Sequence, residues 1–320
     1  MPSGRERSVA AAIVALGLVL AAGAPGFFSR ENLLDVFLAN VPVLIIALGM
    51  TLVILAGEID ISVGSTFAIC SVVSGLLARS GLALAGVILG TCAAGAGLGA
   101  LNGSLVAYAR IPSIVATLAT MVALRDGLRW ATEGAWIQDL PASFQWLGFS
   151  QVSYPFVVCA VALVLLAGLG WGLGYLPAGR AVYATGSNRD AARLAGLRTA
   201  LVTFAVFALL GALIGVAALL NSVRFNQIPS NVGLGLEMKV IAAVVVGGAA
   251  ITGGRGTVAG TLLGVVLLAM IGPALTFLGV TAWWERAIQG AIILTAVAAD
   301  ALRATPAHAV MAPGPRRTPA

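Results

Sequence analysis

Residues 155–176 read PFVVCAVALVLLAGLGWGLGYL, 22 positions without a single charge. About 20 apolar residues in a helix cross the roughly 30 Å hydrocarbon core of a bilayer, where every backbone polar group must be paired within the protein. Similar runs, bounded by Gly, Pro or charge, recur at 9–25, 33–56, 61–78, 82–107, 113–128, 200–220, 238–251, 257–280 and 283–302. Ten such runs leave no stretch long and polar enough to fold as a second, soluble unit. The expectation is an all-α polytopic membrane protein with about ten transmembrane helices, residues 1–302 forming one membrane domain. The run at 238–251 is short for a span, so it is tilted, lengthened by its neighbours or re-entrant, and nine spans is the nearest alternative.

Composition enters only to close other doors. Hydrophobic residues make up 60% of the 320 and charged residues 9%, against about 25% charged in soluble domains. Mean hydropathy is +1.03. The net charge of +6 and a pI near 9.9 could point to nucleic acid. The charge is nearly all Arg, however, spread singly between apolar runs, which is the pattern of a topology signal. Cys70, Cys92 and Cys159 lie singly inside apolar runs and have no metal-ligand spacing. They read as packing residues, and no metal is expected.

Orientation follows from the basic residues. With the N-terminus inside, inner segments hold Arg5, Arg7, Arg110, Arg180, Arg189, Arg193, Arg198, Arg255, Arg303, Arg316 and Arg317, which is 11 of 18. Outer segments hold Arg30, Arg79, Arg125, Arg129, Arg224, Lys239 and Arg286. Loop 177–199, with four Arg, falls inside; loop 131–154, without Lys or Arg and flanked by Trp130, Trp136 and Trp146, falls outside. Both termini are then cytoplasmic. Arg5, Arg7 and the AGA at 22–24 resemble a signal peptide, but spans follow at once, which favours an uncleaved first helix. The Pro-rich, basic segment 303–320 reads as a disordered cytoplasmic tail and carries the lone histidine, His308.

Energy must come from elsewhere. A P-loop needs G-x-x-x-x-G-K-[ST], and the only lysine, Lys239, stands in EMKVIA. Span centres are almost free of the Asp, Glu and His that ion-coupled carriers use, since Glu58, Asp60, Asp126, Glu237 and Glu285 fall at or near predicted span ends. No HExxH, catalytic carboxylate pair or nucleophile beside a base is present, so the chain is not expected to be an enzyme.

Three stretches carry the remaining information. LVILAGEIDISVGST, ending at Thr66, sets Glu58 and Asp60 at the predicted inner end of a span, where both can stay hydrated. Asp60 can cap the following helix through the N–H of Ser62 or Val63, and the small residues Gly57, Ser62, Gly64 and Ser65 permit close packing or an unwound backbone. GSNRDAARLAGL, 186–197, places Asp190, Ala191, Ala192 and Gly196 on a short helix with a small face; it is either a solvated surface helix or a docking element. AAVVVGGAAITGGRGTVAGTLLG, 242–264, breaks an apolar run at Gly247 and Gly248 and bends at Gly253, Gly254 and Gly256. It serves either close helix crossing or a mobile break.

In this order and spacing the three stretches resemble the permease subunits of ribose-type sugar ABC importers, a family that also includes xylose, rhamnose and autoinducer-2 permeases. The family forms read G-G-I-D-L-S-V-G-S, G-x-N-x-x-A-A-R-L-x-G-I and A-V-V-L-G-G-x-x-x-x-G-G-x-G, and Glu58 replaces a usual Gly. NVGLGLEMKVIAAVVVGG and WWERAIQG look closest to the rhamnose or autoinducer-2 branch. The resemblance implies a permease in the bacterial inner membrane that itself binds no cofactor. A separate ATPase subunit would use ATP and Mg and dock at Asp190, Ala191, Ala192 and Gly196, with Arg189 and Arg193 free to meet its acidic residues. A second permease, identical or homologous, would complete the path, and a periplasmic binding protein would dock on outer loops 138–153 and 223–234. Asn102 and Asn221 are the polar groups expected along a sugar path. Alternatives are a branched-chain amino-acid-type ABC permease and an ion-coupled secondary transporter.

Overall fold

The computed structural model describes residues 4–281 together with 284, 287, 288, 290, 291, 294 and 295. The last expected span, 283–302, and the tail, 303–320, lie mostly or wholly outside the described residues. What is described is all-helical: α1 (Gly4–Gly23), α2 (Arg30–Leu55), α3 (Val63–Arg79), α4 (Leu84–Ala107), α5 (Ser113–Thr132), α6 (Tyr154–Tyr175), α7 (Pro177–Ser187), α8 (Arg189–Leu194), α9 (Thr199–Ser222), α10 (Leu236–Val246) and α11 (Val258–Phe277). Among the described residues the only strand-like pairing is one antiparallel bridge between Ile137 and Ile228.

Six of these helices, α1, α2, α4, α6, α9 and α11, are long and apolar enough to cross a membrane. Several apolar helices in one chain make it a multi-pass membrane protein. The helix α2 forms the centre: nearly every residue from Leu38 to Leu55 is buried, against α6, α9, α10 and α11. Lipid is as apolar as Leu, so such helices are held by close packing rather than by escape from water. The tightest packing joins α4 to α9. Gly95 and Gly99 lie so close to Gly211 and Phe207 that a Cβ at either would overlap a backbone carbonyl of α9.

Chain ends sort onto two sides. The start of α1 meets the α10–α11 connection, where the Arg5 side chain lies against Gly248. The end of α4 meets the start of α9, with Gly103 against Phe204. The end of α2 touches Gly186 at the end of α7. All these lie on the side of the Arg-rich loop 177–198, here the Arg-loop side. On the far side, segments 133–153 and 223–235 join into one cap. Ile137 and Ile228 exchange backbone hydrogen bonds of 3.0 and 2.9 Å, Trp146 N–H donates to Val223 at 2.8 Å, and Gln145 donates to Asn226 at 2.9 Å.

Two expected spans are not simple helices. The third was expected at 61–78; residues 57–62 are non-helical and climb along α5 before α3 begins. Their backbone is paired by α5 side chains: Ile59 N–H donates to Ser113 Oγ at 3.3 Å and Ile61 N–H to Thr117 Oγ1 at 3.1 Å. The eighth was expected at 238–251; α10 has only 11 residues and stops at Val246, about 16 Å of helix, or half the apolar layer. The missing half is supplied by residues 228–235, which descend beside α3 from Gly75, next to Ile228, to Gly64, next to Gly233.

Candidate functional site

The three motifs, far apart in sequence, converge at the Arg-loop side. Gly57 ends α2 with φ +82°, a left-handed turn that favours glycine. Against it lies Gly253, where a Cβ would stand 2.8 Å from Gly57 Cα. Gly186 fills the third corner: a Cβ there would overlap the Leu55 carbonyl and come within 2.8 Å of Gly254 N. That carbonyl also accepts the Gly254 N–H at 2.9 Å. Tyr183 of α7 ties down the same bend, its hydroxyl donating to Gly256 O at 2.8 Å. Burial pushes the phenol above its usual range, so it remains a donor. The structure thus brings Gly57, Gly253, Gly254 and Gly256 together with the second motif. Gly247 instead marks a close crossing of α10 on α11, against Gly260, and Gly248 lies against Arg5.

The helix α8 projects from this junction. Asn188 caps it by accepting the Ala191 N–H at 2.9 Å. Ala192 faces inward and is buried, whereas Asp190, Ala191, Arg193 and Gly196 are exposed. Gly196 is left-handed with open space around it. Leu194 is 91% exposed at the tip of α8. Sequence patterning did not single it out, because it lies next to charged residues in a short helix.

Two expectations about charge are corrected. Arg189 was expected to be free; its guanidinium pairs with Glu58, 131 positions away in sequence, and donates to Thr203 Oγ1 at 3.1 Å. Arg193 remains exposed, but its Nε donates to Thr199 at 3.0 Å. Glu58 and Asp60 were expected to be hydrated; both are buried, Asp60 being 2% exposed. The physical reason is the climb of 57–62 into the helix bundle. Glu58 is compensated there by Arg189, and Asp60 by hydrogen bonds.

Asp60 performs the expected capping. Its Oδ1 accepts the Ser62 N–H at 2.8 Å and the Ser62 hydroxyl at 2.7 Å. Asn102 donates to the same Ser62 Oγ at 2.7 Å and, weakly, to Asp60 Oδ2 at 3.4 Å. Ser65 donates to Met121 O at 2.8 Å, and Gly64 packs against Gly233 and Glu237. Asn102 therefore belongs to the α3 entrance. Asn221 sits near the far end of α9, about 20 Å along that helix from the level of Phe207. The two are not brought together. No group of metal-binding side chains occurs among the described residues.

Comparison with known proteins agrees with the motif geometry. Residues 32–297 match the family described as the branched-chain amino acid transport system / permease component. Curated relatives include the "Autoinducer 2 import system permease protein LsrC" of Salmonella typhi, 38% identical over 303 residues, covering 93% of this chain and 86% of the relative. The proteins of the same name from Photorhabdus laumondii subsp. laumondii and Escherichia coli are 34% and 36% identical, over 93% and 89% of this chain and 90% and 85% of theirs. No solved structure matches significantly. The resemblance read from the three motifs holds, and the chain belongs to this family of importer permeases.

Proposed function

We propose that the chain is the transmembrane permease subunit of a bacterial inner-membrane ABC importer that passes a sugar-type solute, with autoinducer-2 the first candidate and rhamnose the second. Supporting this reading is the convergence of the motifs around α8, together with relatives named for autoinducer-2 import. The Arg-loop side is cytoplasmic in this account, with ten spans and both termini inside, as the basic residues indicate. A separate ATPase, using ATP and Mg, docks on α8 through Leu194, Asp190 and Arg193. The far-side cap receives a periplasmic binding protein, and a second permease completes the path.

The mechanism is mechanical. Closure of the ATPase moves α8, and the Arg189–Glu58 pair carries that motion across to the turn at Gly57. The Gly186–Gly253 contact carries it to the α10–α11 bend. Both lead to spans in which a non-helical segment precedes a helix, and which can rearrange without breaking a continuous helix.

The amino-acid alternative rests on the family description alone, while the named relatives are autoinducer-2 permeases. Purification from native membranes in gentle detergent tests the proposal. An ATPase should accompany the chain, fall about tenfold or more in recovery with Leu194→Glu, and support ATP-dependent uptake of autoinducer-2. Purification of the chain alone, with uptake driven by an ion gradient, overturns it.

A further inference from the structure

The start of α3 meets the start of α10 inside the bundle. Arg125, which approaches them from α5, stands 12 residues from that helix's first residue, about 18 Å along its axis. Glu237 lies in the first turn of α10, and its Oε2 rests on the Cα of Gly64 in the first turn of α3. Sequence reading placed both residues near span ends. The non-helical descent of 228–235 carries Glu237 inward to the level of Gly64.

Ionisable groups at such depth are costly and mark sites. Their bonding here is uneven. Arg125 donates to the carbonyls of Val232 at 2.8 Å and Gly233 at 3.4 Å. Glu237 Oε2 is buried and makes no hydrogen bond, although its charge acts on the nearby Arg125 guanidinium. A second oxygen in the same condition, Asn102 Oδ1, lies at the other side of the α3 entrance, beside Ser62, on a side chain only 1% exposed. Asp60 takes the N–H of Ser62, the residue just before α3, but no side chain bonds the first turn of α3 or of α10, although first-turn N–H groups have no partner within their own helix. Unused acceptors therefore flank helix starts whose N–H groups can donate.

We propose that Glu237 and Arg125 form the polar contact point at which a neutral, hydroxyl-rich solute crosses the α3–α10 break. This inference rests on the importer reading above. A hydroxyl can donate to Glu237 Oε2 while accepting from Arg125 or from a first-turn N–H, a double role that an aliphatic side chain cannot fill. The pair carries no net charge, which suits a neutral solute. An amino-acid carboxylate would instead place a second negative charge beside Glu237.

The test uses the importer in lipid vesicles, with Cys70, Cys92 and Cys159 replaced by Ser and Glu237→Cys introduced. A charged, membrane-impermeant methanethiosulfonate should modify position 237 in one nucleotide state and about tenfold more slowly in another. An equal rate in every state, or no reaction in any, overturns the inference. This readout needs no solute, and failure of the importer reading shows separately, as absence of the ATPase from the purified protein. In uptake of autoinducer-2, Glu237→Gln, which keeps an acceptor oxygen, should retain most of the rate that Glu237→Ala loses by about tenfold or more. Equal loss in both points to a structural carboxylate and overturns the inference, as does a preference of the wild type for L-leucine that Glu237→Ala abolishes.

Discussion

Two of the places where backbone touches backbone at glycine differ in kind. Along the α4–α9 seam, Gly95, Gly99, Gly211 and Gly215 stand within continuous helices, and none has positive φ. At the motif junction, Gly57, Gly253 and Gly254 terminate or bend the chain, all with positive φ, and Gly186 closes α7 against them. The seam locks two full-length helices into one body. At the junction, three separate pieces of chain meet through small contacts, one backbone hydrogen bond and the nearby Arg189–Glu58 pair. In the proposed mechanism, rigidity and transmission fall to different glycines of the same protein.

Breaking the seam should have the largest effect. Gly99→Leu drives a side chain into the Phe207 carbonyl and should cost about 3 kcal/mol or more, seen as loss of monodisperse protein in detergent. Gly186→Ala sets one methyl group against the Leu55 carbonyl at the junction and should cost about 2–3 kcal/mol. Its signature is a folded permease that binds the ATPase but imports at a much reduced rate. A variant that imports normally would show that the junction does not transmit.

The Glu58–Arg189 pair sharpens the contrast further. Arg189→Ala strands a buried carboxylate, and because Arg189 is partly exposed the cost should be about 1–2 kcal/mol. Glu58→Gly should relieve most of that cost in the double variant, so a thermal-unfolding double-mutant cycle should give strong coupling. The smallest effect is expected at Asp126→Asn. Its partner Arg129 and Asp126 are both mostly exposed, so stability should move by no more than about 0.5 kcal/mol.

How much of this was legible follows from which signals are local. Apolar runs announced the helices α2, α4, α6, α9 and α11, and Asp60 announced its own cap, since Ser62 is two residues away. The seam left a visible trace in Gly95, Gly99 and Gly103, but nothing in the sequence names Gly211 as the facing residue. The breaks in these spans were hidden because a non-helical segment and a helix can share a composition. Residues 228–235 look like a loop, and 238–251 like a short span. The hydration expected for Glu58 failed for the same reason: its partner is 131 positions away, and only the fold shows that 57–62 enters the bundle.

The central claim, that motion enters at the junction while the seam stays fixed, is tested most directly by paired spin labels in the assembled importer. One pair joins the exposed Ala195, just beyond α8, to Gly97 on α4, and the other joins Gly97 to Leu209 across the seam. Between the nucleotide-free and the ATP-vanadate states, the first distance should change by about 2 Å or more while the second stays constant. A fixed first distance during active transport, or equal changes in both, would contradict the account.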